Sequence, residues 1–111
     1  MQYLLLIYED EKRFLTGYDE GEFAEYGAFG KKHASEIKAG QALQPSAAAK
    51  TVRVRNGKAV VTDEPFAETK EQLGGYYLIE ADSIDAATEI AAGIPGGRFG
   101  GIEVRPIMVF S

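Results

Sequence analysis

At 111 residues and 45% hydrophobic content, the chain carries enough apolar material for one compact core and is read as a single domain over residues 1–111. A net charge of -5 with a pI near 4.9 disfavours attachment to phosphate backbones, so nucleic acid is not expected as a direct partner. The absence of cysteine removes disulfides, thiolate nucleophiles and the common structural zinc sites, and with His33 as the sole imidazole no metal site is expected.

The run Tyr3-Leu4-Leu5-Leu6-Ile7-Tyr8 is apolar at every position, which predicts a central strand covered on both faces. It is far shorter than the roughly 20 residues that cross a bilayer. Residues 1–10 carry neither a basic leader nor a small-residue cleavage site, so a signal peptide is not expected and a cytoplasmic address is. After a polar turn around Gly17 to Gly21, the residues Phe23, Tyr26, Gly27, Gly30, Ala34 and Ile37 recur at helical spacing. They predict a helix from about Glu20 to Ala39 capped by Gly40, with Gly27 and Gly30 letting it approach a sheet closely.

Asn56-Gly57 between Thr51–Arg55 and Lys58–Thr62 predicts a two-residue hairpin, because both turn residues must reach positive φ. That register pairs Val54 with Ala59 and Val52 with Val61 on one face, leaving Arg53, Arg55, Lys58 and Val60 on the other. Gly74-Gly75 opens a further strand, Tyr76 to Glu80, again with large residues on both faces. Asp82-Ser83 offers cap oxygens to a short helix with Ala87, Ile90 and Ala91 as its apolar positions. Gly96 to Gly101 reads as a flexible connection, and residues 102–110 as a last strand interrupted or placed at an edge by Pro106.

This order is close to an α+β, ferredoxin-like βαββαβ unit, with an extra strand or so around Gln41 to Leu43. Two helices cover only one face of such a sheet. Since two strands are apolar on both faces, a homodimer with the bare faces packed together is expected.

The pattern from Tyr3 to Tyr8, through Leu43-Gln44-Pro45 and Thr51-Val52-Arg53, to Asp63-Glu64-Pro65-Phe66 and on to Gly74-Gly75-Tyr76, resembles the YCII-related family over nearly the whole chain. Within it, the resemblance is to the group named for an Asp-Gly-Pro-Phe motif, with Glu64 where that group carries Gly. The resemblance implies a ferredoxin-like fold with an extra hairpin, assembled as a dimeric α/β barrel. In some members a His on the first helix with an Asp is proposed as a catalytic pair; the corresponding region here holds Tyr26 and Gly27. Association with extracytoplasmic-function sigma factors is a further implication of the resemblance.

Asp63, at a strand end before Pro65, is either a general base, if burial raises its pKa, or a turn residue bonded to nearby backbone N–H groups. Glu68 and Lys70 share its loop, where Lys70 neutralises an anionic substrate, pairs with Asp63, or joins local solvated ion pairs. Arg53 and Arg55 form an anion clamp or simply the wet side of the hairpin. Tyr8 and Tyr76 are pocket walls or core residues, and His33 is read as a packing or surface residue rather than a base. With no nicotinamide, flavin or phosphate-binding motif, the expectation is cofactor-free acid-base chemistry on a small polar or anionic molecule. The alternative is a non-catalytic binding or regulatory module.

Overall fold

The computed structural model describes residues 1–14, 17 and 19–110. Its elements are β1 (Gln2–Glu9), α1 (Glu20–Lys32), β2 (Ile37–Ala42), β3 (Thr51–Arg55), β4 (Lys58–Thr62), β5 (Gln72–Glu80), α2 (Ile84–Ala91) and β6 (Gly100–Pro106). Four strands form an antiparallel sheet in the order β2-β5-β1-β6, while β3 and β4 make a separate two-stranded sheet. Without that hairpin the order is βαββαβ, the ferredoxin-like arrangement. The strand expected as an extra around Gln41 to Leu43 is thus the core strand β2, and the hairpin is the insertion.

Alternation along β1 sends Tyr3, Leu5, Ile7 and Glu9 to one face, all buried. There they join Phe29 of α1, Ile79 of β5, Ala87, Ile90 and Ala91 of α2, and Ile94 in one cluster, so both helices cover the same side. Leu5 and Ile79 are 0% exposed; each such burial stabilises the fold by about 1.5–3 kcal/mol. Leu4, Leu6 and Tyr8 point to the other face, where no helix of this chain lies, and are partly exposed.

Ser83 caps α2 by accepting from the Ala86 N–H at 3.0 Å, as the sequence suggests. The N-cap of α1 is Asp19, whose Oδ1 accepts from Gly21 at 2.8 Å; of the turn expected there, Tyr18 lies outside the described residues. The helix is shorter than its spacing predicts. His33 leaves helical geometry, its carbonyl accepts from the N–H groups of Glu36 and Ile37, and Ile37 already pairs with Ile79. Pairing with β5 overrides the helical pattern of Ala34 to Ala39, and Gly40 is a strand residue lying against the ring of Tyr77.

The buried positions of α1 are Glu22 and Phe29, with Tyr26 half-buried on the same row, whereas Phe23 and Gly27 are exposed. Gly27 and Gly30 have no neighbour within 4 Å where a Cβ would stand, so they do not mediate a close approach.

Asn56 (φ 53°) and Gly57 (φ 75°) close the hairpin, and its register pairs Val54 with Ala59 and Val52 with Val61. Gly57→Ala is expected to cost about 1 kcal/mol through left-handed strain, read as a lower urea midpoint. The valines of both hairpin faces are exposed, and the molecule measures 47 × 46 × 18 Å. Its radius of gyration of 15.9 Å exceeds the roughly 13 Å expected for a compact chain of this length, because the hairpin stands away from the sheet. No helix among the described residues is long and apolar enough to cross a membrane.

Candidate functional site

A cavity of about 370 Å³ opens between α1 and the sheet, beside the ends of β1 and β2 and the start of β5. The strand β5 carries an irregularity here, since Ile7 pairs with Gly75 but Tyr8 pairs with Leu73. Gly74 and Gly75 form part of the cavity wall with backbone instead of side chain. Tyr26 and Tyr77 supply aromatic surface, while the Tyr76 side chain, opposite Leu6 in the β1–β5 register, points to the helix-free face.

Glu9 lies on this cavity because it continues the helix-facing row Tyr3, Leu5, Ile7 by one more step of two. The turn Glu11–Phe14, begun by Asp10 Oδ1 accepting from Lys12 N–H at 3.0 Å, carries Arg13 back over it. Arg13 Nη2 then sits 2.5 Å from Glu22 Oε1 and 3.4 Å from Glu9 Oε1. Its guanidinium stacks on Phe99 at 3.9 Å and Phe14 at 4.4 Å. Burial alone would make the guanidinium easier to deprotonate, but the two carboxylates outweigh it and raise the Arg13 pKa. Glu9 and Glu22, 6% and 8% exposed, are therefore buried charges held by one shared cation.

Tyr26 completes the group. Its Oη accepts from the Gly96 N–H at 3.2 Å, and its own proton has no acceptor among the described residues. Burial first, and then the charge of Glu9, push the phenol up to about 12. Tyr26 is consequently a hydrogen-bond donor at neutral pH, with Glu9 as the acceptor on the same cavity. Gly96 permits the convergence, since a Cβ there would overlap Glu9 Oε1 and lie 2.8 Å from Tyr26 Oη. The stretch read from sequence as a flexible connection is in fact a tight 3-10 turn, Pro95–Arg98, with Pro95 and Gly96 buried.

The raised phenol has a stability consequence. Because the folded value lies above the ordinary 10, the folded state holds this proton more tightly; its contribution is complete below pH 10 and lost as pH rises toward 12. Tyr26→Phe is expected to flatten the alkaline fall in stability over that interval, while leaving Gly96 N–H unpaired at a cost of about 1–3 kcal/mol at neutral pH. Urea titrations from pH 7 to 12 measure both effects.

The residues singled out from sequence do not form one site. Tyr76 lines the cavity, whereas Tyr8 and Arg53 line a separate open groove of about 850 Å³ beside the hairpin. Arg53 stacks on Phe66 at 4.9 Å. Asp63 is 83% exposed and pairs with Lys50 at 2.5 Å, not with Lys70. The burial that a general base at Asp63 requires is not provided within this chain. Asp63→Asn is expected to change stability by less than about 0.5 kcal/mol, checked by urea midpoint. Glu68 and Lys70 are exposed and line neither opening. His33 ends α1, stacks on Phe29 with centroids 4.9 Å apart, and places Nδ1 2.9 Å from Glu36 Oε1. Among the described residues no group of three or more His, Cys, Asp or Glu side chains converges as a metal site.

Glu9, Arg13 and Glu22 are the residues that reading the sequence missed. The signal for Glu9 was its place in the odd-numbered row of β1, and for Glu22 its position four residues before Tyr26.

A family model described as the YCII-related domain matches residues 1–111. An uncharacterised protein from Rhizobium meliloti (strain 1021) is 37% identical over 117 residues, covering 99% of this chain and 94% of that protein. Among solved structures, 5-chloro-2-hydroxyhydroquinone dehydrochlorinase from Burkholderia phenoliruptrix AC1100, in complex with 2,5-dihydroxybenzoquinone, aligns with a TM-score of 0.57 at 17% identity. That alignment covers 97% of this chain and 94% of the other, and the likeness is one of fold.

Proposed function

This chain belongs to the YCII-related family, and from that premise we propose that its cavity between α1 and the sheet binds a compact polar ring compound and supports cofactor-free proton transfer on it. The observation that carries the reading is that buried Glu9 and the protonated phenol of Tyr26 line one cavity with aromatic surface. A carboxylate acceptor beside a phenol donor is the equipment for removing a proton at one atom and hydrogen-bonding the oxygen where charge develops. About 370 Å³ suits a single substituted ring. The bound dihydroxybenzoquinone of the fold neighbour supports a ring-shaped occupant without assigning this chain its reaction.

The reading includes a homodimer. Leu4, Leu6 and Leu78 on the helix-free face, and Val52, Val54 and Val61 on the hairpin, are apolar surface for a second copy to cover. Light scattering at micromolar concentration should give twice the chain mass, and a monomer would count against it.

The test of function is a thermal-shift and turnover screen over small hydroxylated ring compounds. Glu9→Gln is expected to abolish turnover, and Asp63→Asn to leave it near the wild-type rate. Turnover lost in Asp63→Asn and kept in Glu9→Gln would move the site to the hairpin loop. Binding without turnover in every protein would favour a non-catalytic binding module.

A further inference from the structure

We infer that this cavity selects neutral or cationic ring compounds and rejects anionic ones, a conclusion that rests on the site just proposed and names its ligand class. Four carboxylates line the cavity, those of Glu9, Glu11, Asp19 and Glu22, and no Lys, Arg or His is among its described lining residues. The nearby cation, Arg13, is committed to Glu9 and Glu22 together. Glu11 is held in place by the Ser46 N–H and hydroxyl, both at 2.6 Å, which fix its position without cancelling its charge. Asp19 is fixed as the cap of α1.

An independent feature points to a ligand. Glu9 is 6% exposed, and its sole described protein partner is Arg13 on Oε1 at 3.4 Å. Its second oxygen accepts from no described protein donor and is open to the cavity, so an acceptor is left for a ligand hydroxyl or ammonium. The rings of Tyr26 and Tyr77 lie on the same cavity, and aromatic surface also attracts a cation. A carboxylate-bearing ligand would bring like charge into this partly enclosed space, where repulsion is screened far less than in water. The basic side chains Lys50 and Arg53 lie instead along the separate hairpin groove, away from this cavity.

Three probes of nearly equal size separate the charge states at pH 7: resorcinol, benzylamine and benzoate. Dissociation constants from calorimetry, with sites located by amide shifts of Gly40, Gly74 and Gly75, should show resorcinol and benzylamine in the cavity. Benzoate should bind about tenfold or more weakly. Asp19→Asn keeps the helix cap while removing one charge, and Glu9→Gln removes another; each should narrow the gap between benzylamine and benzoate. If benzoate shifts the same amides with equal affinity, the selectivity is refuted and the cavity stands. If no probe shifts them, the binding reading itself fails and the selectivity with it.

Discussion

Replacing Arg13 with methionine is expected to cost about 3–5 kcal/mol of folding stability, because it strands two buried carboxylates whose shared cation has gone. Glu9 and Glu22 are both buried, and their sole described cationic contact is Arg13 Nη2. The methionine stem would still pack against Phe14 and Phe99, so the loss reports on charge more than on volume. Arg13→Lys should fall between, since an ammonium supplies charge without the planar fork. Urea unfolding at pH 7 measures this directly. A loss under about 1 kcal/mol would mean that water already solvates the three groups.

Gly100→Ala is expected to be at least as damaging, at about 3 kcal/mol or more and a Tm lower by about 10 °C or more. Gly100 faces Glu9 across the β1–β6 ladder. A Cβ there would overlap the Tyr8 carbonyl oxygen and lie 2.9 Å from Tyr8 C and 3.0 Å from Glu9 Cα. All three are backbone atoms of the central strand, so no side-chain rotation relieves the clash and the strand carrying Glu9 must move. The same glycine run holds its own control. At Gly101 nothing stands within 4 Å, and Gly101→Ala should be within about 0.5 kcal/mol of wild type. Equal losses at both positions would show a general intolerance of alanine in this segment rather than a specific approach of β6 to β1.

Local chemistry explains which parts of the fold were legible in the sequence. Asn56-Gly57 and Ser83 each act over a few residues, so turn, register and cap all follow from neighbours in the chain. The all-apolar run of β1 likewise announced a central strand, whereas the last strand, read as residues 102–110, runs from Gly100 to Pro106. The helix was drawn too long because Ala34 to Ala39 fit either state, and the choice was made by pairing with β5, some 40 residues distant. The cavity was harder still. Hydrophobic patterning assigns glutamate to the surface, and it hid Glu9 and Glu22, whose burial is possible only because Arg13 meets both. Tyr26 was visible as a stripe residue, but its bond to Gly96 spans 70 positions and no local rule reaches it. Asp63 was conspicuous for its motif, yet burial decides what a carboxylate can do, and burial is a property of the fold.

The measurement that bears most directly on the central claim is a crystal structure of the protein soaked with resorcinol. The account expects ring density between Tyr26 and Tyr77, with one hydroxyl within hydrogen-bond distance of the Glu9 carboxylate and the other near Tyr26 Oη. Density found instead in the hairpin groove beside Arg53 and Asp63, with the cavity under α1 holding only water, would contradict it.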